Sequence, residues 1–320
     1  MKHLFIVNPT AGSRDCSGEI RALVEEAFRD REDRYEVYVT QGVMDATHKI
    51  REEARAGEDL RVYACGGDGT FNECVCGAVH MDNVAVAPFP TGTGNDFCRM
   101  FEEEAVLFRD LDALLHGSVT PIDVIECNGR YGANICSAGI DARIGVDVHR
   151  YSSIPVIGPK FAYIISTAVN VCKGISNPIT IRCDHYRARG KHCLVCVCNG
   201  QYYGGGFHPS LVARPDDGML DVFIIKRMNI FQLIRYIGVY ARGGADELPQ
   251  FVTHLRTQEL QLGFGKVSCM QVDGEAVYAR RARIRLHPGA MKLIVPQGMR
   301  FFARDALVTV GAQEAVTENS

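Results

Sequence analysis

The sequence predicts a two-part protein: an α/β, Rossmann-like domain with a parallel sheet over residues 1–126, then a β-rich, β-sandwich-like domain over residues 127–297. Three observations carry this. The first third alternates short apolar runs with segments of helical spacing. Near residue 120 that rhythm gives way to paired apolar runs around turn dipeptides. A chain of 320 residues, 47% of them hydrophobic, can bury one or two sizeable cores.

Each element follows in order. "HLFIVN" is a short apolar strand closing at Asn8-Pro9. "SGEIRALVEEAFRDR" places Ile20, Leu23, Val24, Ala27 and Phe28 on one helical face, with Ser17 as the expected N-cap. "YEVYVT" alternates as a strand, "MDATHKIREEARA" is helical, and "LRVYA" is a strand. "TFNECVCGAV" reads as a helix, "NVAVAPF" as a strand, "NDFCRMF" and "EAVLFRDLDALLHG" as helices, the last stopping at Gly117. Beyond the boundary, "TPIDVIECNGRYGANICSAG" forms two strands around Asn128-Gly129, a hairpin signal. "PITIRCDHYRARGKHCLVCVCNG" is a second hairpin. "GMLDVFIIK", "LQLGFG", "KVSCMQVDGEAV", "ARIRLHP" and "MKLIVP" add strands, interrupted by the helix "NIFQLIRYIGVYARG". The tail from 298 to 320 is expected to pack back on the first domain, and its polar end "VGAQEAVTENS" to fray.

Charge and composition narrow the function. A net charge of −3 gives no global signal for nucleic acid, and no RNP, zinc-finger or basic-region signature occurs. No window of about 18 apolar residues reads as a membrane span. "MKHLFIVNPT" reads directly as strand and turn, without a signal-peptide pattern. With 13 cysteines, a reducing cytosol is the expected compartment. No second C-x-x-C occurs elsewhere to pair with Cys193, Cys196 and Cys198 in a zinc site, and they are expected as buried small apolar residues. "ICSAGI" fails the nucleophile-elbow pattern because Ile135 replaces its first glycine.

Two strands run into glycine loops that each open a helix: "LRVYA" into "CGGDGT" and "NVAVAPF" into "PTGTGND". Glycines let backbone N–H groups approach an anion, and a helix N-terminus favours negative charge. Gly66, Gly67, Gly69 and Thr70, with Gly92, Thr93 and Gly94, therefore make one candidate phosphate site. Two ordinary βα turns are the plain alternative. Neither loop is a Walker or G-x-G-x-x-G motif. Asp68 beside phosphate calls for a divalent cation between them, and Asp96 and Asp123 lie near strand ends where they can join it. Taken singly, Asp96 reads as a helix N-cap and Asp123 as a polar strand-end residue.

"GGDGTFNE", "PTGTGNDF" and the opening "NPTAG" resemble the diacylglycerol kinase catalytic domain family, soluble lipid kinases; "NGQYYGGGFHPSLVARPDDGMLDV" and "VDGEAV" are similar to that family's second domain. The resemblance spans residues 8 to about 276 with the motifs in order. It implies that ATP lies between the domains, in contact with Asn8, Thr40, the segment from Gly66 through Asp68, Phe71 and Asn72, and Thr93. It implies an Mg²⁺ and water network at Asp68, Asp96 and Asp123, and Glu275 as the general base that takes a lipid hydroxyl proton; Arg99, after the second loop, is placed to neutralise phosphate charge, a surface salt bridge being the plain alternative. Asp273 is implied to support the turn or the site; on spacing alone, Asp273-Gly274 is a hairpin turn. A structural Mg²⁺ is implied at Arg214, Asp217 and Met219, for which a turn at Asp217-Gly218 is the alternative.

The implied activity is an ATP-dependent lipid kinase, diacylglycerol to phosphatidic acid first, with sphingoid bases, ceramide or other acylglycerols as further acceptors. An NAD kinase-like enzyme and a non-catalytic nucleotide-binding regulator are the alternatives; "GTGNDF" favours the lipid branch and "VDGE" favours catalysis. The expected setting is cytoplasmic, peripheral at the inner membrane surface, with a homodimer as the expectation for assembly. "HRYSSIPVIGPKFAYII" and "NIFQLIRYIGVYAR" are candidates for docking at a bilayer interface, core-facing amphipathic helices being the commoner explanation.

Overall fold

A computed structural model describes residues 1–12, 14–92, 94–152, 165–167, 169–171 and 173–303. Strands β1 (Lys2–Val7), β2 (Arg34–Val39), β3 (Leu60–Gly66) and β4 (Val84–Pro90) pair in parallel in the order β4-β3-β1-β2. Helices α1 (Ser17–Ala27), α2 (Asp45–Ala54) and α3 (Asp68–Ala78) connect them. β1, β3 and β4 are buried almost throughout, which is why they read as unbroken apolar runs rather than alternating ones. Ile20 and Val24 of α1 and Ile50 of α2 fill the layers over the sheet. α2 and α3 touch closely at Gly77, where a Cβ would meet the Ile50 Cβ at 2.9 Å.

Two expected details differ. Ser17 is the first helical residue of α1 rather than its cap; its N–H is taken by the Asp15 carboxylate at 2.8 Å. The long helix expected at "EAVLFRDLDALLHG" splits into a 3-10 helix (Glu102–Arg109) and α5 (Leu111–Leu115), following the short α4 (Asp96–Arg99). The break falls at Asp110, whose carboxylate caps α5 by accepting from the Ala113 N–H at 3.1 Å.

The remainder is β-rich. β5 (Ser118–Cys127) and β6 (Arg130–Gly132) form a hairpin around Asn128 and Gly129, both left-handed with φ of 51° and 85°. β7 (Ile135–Gly139) leads into α6 (Ile140–Ser152). β8 (Asn177–Cys183) and β9 (Tyr186–Cys198) make the second hairpin, followed by β10 (Leu220–Lys226), α7 (Ile230–Ala241), β11 (Val252–Thr257), β12 (Glu259–Val272) and β13 (Glu275–Val295). Strands read as separate merge here. "LQLGFG" and "KVSCMQV" are one strand, β12, with a register shift between Gly263 and Ser268. "ARIRLHP" and "MKLIVP" are one strand, β13, shifted between His287 and Met291, where Gly289 adopts φ of 62°.

β13 ties the molecule together. It pairs with β12 and β5 antiparallel and then with β4 in parallel, through Lys292↔Ala85 and Leu293↔Val86. Its Ala282, Ile284 and Leu286 belong to the core of the β-rich part; Met291, Leu293, Ile294 and Val295 belong to the core under β1–β4. Beyond it, the Arg300 and Phe301 N–H groups donate to Glu104, and Phe301 and Phe302 pack on Phe101. Residues 304–320, the rest of that tail, lie outside the described residues, as does most of "HRYSSIPVIGPKFAYII". Every described cysteine is a free thiol. Among the described residues no helix is long and apolar enough to cross a membrane.

Candidate active site

The two glycine loops meet backbone to backbone at the carboxyl ends of β3 and β4. The Thr91 and Gly92 N–H groups donate to the Gly66 carbonyl at 3.1 and 3.0 Å, and the Asp68 N–H donates to the Gly94 carbonyl at 3.0 Å. A Cβ on Gly92 would meet the Gly67 nitrogen at 2.8 Å, and one on Gly67 would meet the Gly94 carbonyl at 2.9 Å. The close approach therefore requires glycine at both positions. Above the loops opens a cavity of about 940 Å³. Gly67, Gly69, Thr70, Gly92 and Gly94 form its floor, and Asn8, Thr40 and Glu275 stand on its walls. Asn8 is set by its amide, which donates to the Thr70 hydroxyl at 3.1 Å, and by Thr10, which donates back to its carbonyl oxygen. Phe71 and Asn72 point elsewhere: Phe71 packs on Phe97 at 4.7 Å, and Asn72 donates to the Tyr131 carbonyl and to Asp273. Thr93 lies outside the described residues.

Asp68 opens α3 beneath this floor and is held against Asp96, whose N–H donates to it at 2.7 Å. Burial first, then the neighbouring Asp96 charge, push the Asp68 pKa up to about 7, and burial raises Asp96 as well. One Asp96 oxygen accepts the Gly205 N–H at 2.7 Å; the other has no hydrogen-bond partner among the described residues, with the Arg99 Nε 3.3 Å away. Two buried carboxylates with raised pKa values, one of their oxygens met only by the Arg99 charge, suit a divalent cation that keeps several waters. Among the described residues no group of three or more His, Cys, Asp or Glu side chains is placed to hold a metal ion by itself. Water or phosphate oxygens must therefore complete such a shell.

Asp123 is not brought to this pair. Its two oxygens accept the Gly289 and Gly218 N–H groups at 2.9 and 2.8 Å, which seats it beside the turn from Arg214 to Met219. The reason is position: Asp123 lies within β5, which runs beside β13 and away from the glycine loops. In that turn the Asp217 carboxylate accepts the Met219 N–H and pairs with Arg256, while Arg214 binds Asp216. Burial leaves the Asp217 pKa raised, although the Met219 N–H and Arg256 pull it down.

Glu275 begins β13, just past the Asp273-Gly274 turn, whose residues are both left-handed with φ of 48° and 90°. Asp273 is locked in place. Its carboxylate accepts the Ala133, Asn134 and Ile135 N–H groups at 2.8, 3.2 and 2.8 Å, and the Asn72 amide at 3.2 Å. One side chain therefore fixes the hairpin tip to β7 and to α3. Glu275 itself is 48% exposed, with the Arg130 guanidinium 4.0 Å away, and projects into the larger cavity.

A second cavity of about 350 Å³, mostly apolar, begins on the other side of Asp68. Asp68, Asp96 and Gly274 line it together with Ile225, Met228 and Leu233. Sequence reasoning missed it because its walls come from β7, α6, β9, β10, α7 and the "YYGGGF" loop, whose residues share no spacing. The one local signal was that glycine loop, with Gly204, Gly205 and Gly206 all at positive φ.

Residues 2–127 match the family described as the diacylglycerol kinase catalytic domain, and residues 134–295 match the YegS C-terminal NAD kinase beta sandwich-like domain. A diacylglycerol kinase of Bacillus subtilis strain 168 is 28% identical over 85% of this chain and 88% of its own length. A Shewanella frigidimarina strain NCIMB 400 protein described as "Probable lipid kinase YegS-like" is 25% identical over 89% of this chain and 92% of its own. A crystal structure of a diacylglycerol kinase from Bacillus anthracis strain Sterne superposes with a TM-score of 0.69 at 24% identity, over 93% of this chain and 98% of that one. The fold is that of the superposed protein. The chain belongs to the diacylglycerol kinase catalytic domain family, and thereby to the lipid kinases.

Proposed function

We propose that the protein transfers the γ-phosphoryl group of ATP to a lipid hydroxyl, with diacylglycerol as the first acceptor to consider and phosphatidic acid as its product. One observation carries this reading: Glu275 stands on the wall of the larger cavity while its neighbour Gly274 and the nearby Asp68 line the apolar one. A carboxylate on the wall of a nucleotide-sized space, one residue from a mostly apolar one, suits an alcohol arriving from the apolar side. The glycine loops and the start of α3 bind and orient the phosphates. Glu275 accepts the proton of the acceptor hydroxyl, the oxygen bonds to the γ-phosphorus, and the bond from that phosphorus to the β-phosphate oxygen breaks, releasing ADP. Asp68 and Asp96 would hold Mg²⁺, which supplies charge neutralisation at the phosphates when bound.

The acceptor is reached at the inner face of a bilayer. α7 supports this: Phe231 and Ile234 are 81% and 67% exposed on its outer side, while Leu233, Tyr236 and Tyr240 face the apolar cavity. Lys226, Arg227 and Arg235 lie exposed around it, suited to anionic headgroups. The test is ATP turnover with mixed-micelle lipids beside soluble NAD. Lipid-dependent ADP release is expected; phosphorylation of NAD without lipid would overturn the reading.

A further inference from the structure

The apolar cavity carries a polar strip that phosphoryl transfer does not use. Asp141, in the first turn of α6, spends one oxygen on the Ala142 N–H at 2.6 Å. Its other oxygen, Oδ2, is buried with no hydrogen-bond partner among the described residues. The Tyr240 hydroxyl is likewise buried without a partner. Tyr203 interacts with both, and all three side chains line the cavity. The strip continues to the reacting end. Ser137, beside Asp141, accepts from the Gln271 amide at 2.9 Å, and the Gln271 carbonyl oxygen accepts the Gly274 N–H at 2.7 Å, one residue before Glu275.

These are unusual side chains to leave unsatisfied. Buried polar atoms are nearly always paired, and a buried carboxylate oxygen without a close hydrogen bond is a costly exception. Burial raises the Asp141 pKa to about 6, against the pull of Ser137, Ala142 and Tyr203, so the group is still mainly ionised at neutral pH. An ionised carboxylate only accepts hydrogen bonds; a phenol can also donate. A carboxylate oxygen and a phenol that each lack a close hydrogen bond among the described residues, with Tyr203 between them in a mostly apolar cavity, fit a ligand group that donates to the one and accepts from the other.

We propose that Asp141 and Tyr240 form a specificity subsite for a second polar group of the lipid acceptor, a hydroxyl, amine or amide N–H distinct from the hydroxyl that is phosphorylated. This rests on the lipid kinase reading. It sharpens the acceptor class: long-chain amino alcohols, N-acylated amino alcohols and monoacylglycerols carry such a donor, whereas the two esters of diacylglycerol only accept. Diacylglycerol can use Tyr240 but leaves Asp141 unpaired.

The experiment compares kcat/KM for a monoacylglycerol and a long-chain amino alcohol with that for diacylglycerol, at equal mole fraction in neutral-detergent micelles. Calorimetric binding of the same lipids without ATP gives a readout independent of turnover. The wild-type protein is expected to favour the donor-bearing lipids. Asp141→Asn is expected to lower that preference about tenfold or more, the worth of one hydrogen bond to a charged group. Tyr240→Phe, which keeps the ring and its packing, is expected to weaken the same lipids. A preference unchanged by Asp141→Asn in both turnover and binding overturns the subsite, as does a wild-type preference for diacylglycerol. If no lipid is phosphorylated but the binding preference still depends on Asp141, the kinase reading fails and the subsite stands.

Discussion

Glu275 follows a turn whose neighbouring carboxylate, Asp273, is consumed by four donors, so the two acids of "VDGE" divide their roles cleanly. One is structural and one is free to act. Glu275→Gln should therefore leave ATP binding and thermal stability in place and lower phosphoryl transfer by at least about a hundredfold, the usual share of a positioned base. Near-wild-type ADP release with lipid would remove Glu275 from that role. Asp273→Asn is the contrasting case: it weakens an anchor between the turn, β7 and α3 and should lower the melting temperature. His3 gives a pH signature away from the site. It is fully buried in β1, with Nδ1 2.9 Å from the Tyr63 hydroxyl, and burial pulls its pKa down to about 4 despite Asp33. The folded state keeps this imidazole neutral where the unfolded chain, with a pKa near 6.5, takes up a proton. Its contribution is thus intact above about pH 6.5 and is lost as pH falls toward 4, a swing of about 3 kcal/mol. Denaturant melts of wild type and His3→Gln across that window should converge at low pH; parallel curves would contradict the assignment.

At the scale of the element, α7 is apolar on two sides, which a helix at the surface of a water-soluble assembly has no reason to be. Its inner side walls the apolar cavity and its outer side exposes Phe231 and Ile234. The double substitution Phe231→Ser with Ile234→Ser should leave the melting temperature unchanged and reduce co-sedimentation with phosphatidylglycerol vesicles roughly tenfold or more. Retention of vesicle binding would place the docking surface elsewhere. α7 was legible as a helix from its spacing, and its capping box of Asn229 and Gln232 fixes its start. That it is apolar on both sides was not legible, because an outward apolar stripe and a core-facing one look alike in sequence. The same limit explains the other misses. The glycine loops were readable because local backbone demands put glycine at fixed places, and the Asn128-Gly129 and Asp273-Gly274 turns were readable for that reason too. The partition of Asp68, Asp96 and Asp123 was not. It depends on which strand ends the sheet brings together, and that is set by β13, which Pro288 and Gly289 made look like two strands.

For the whole molecule, β13 decides whether the halves can exist apart. The strand leaves the active-site turn at Glu275, crosses the β-rich core, and ends in parallel against β4, the strand that feeds the second glycine loop. Its last turns bury Met291, Leu293, Ile294 and Val295 in the core of the first domain. At about 1.5–3 kcal/mol for each fully buried side chain, these four contribute roughly 6–12 kcal/mol. That is comparable with the entire stability of an ordinary domain, about 5–15 kcal/mol. It is an upper figure, since denatured chains already bury some apolar surface, but β13 also covers the edge of β4, which would otherwise lie open to pairing. A fragment of residues 1–126, although it carries both glycine loops, should therefore fail to fold as an independent unit. Its amide NMR spectrum should be collapsed, and it should bind a hydrophobic dye and aggregate. Adding residues 282–297 as a separate peptide should restore dispersed resonances if the missing strand is the cause. The full chain, by the same reasoning, should melt in one transition with calorimetric and van't Hoff enthalpies in agreement. A well-dispersed spectrum from the 1–126 fragment alone, or two resolved transitions in the full chain, would show that the halves are held together more loosely than a shared strand requires.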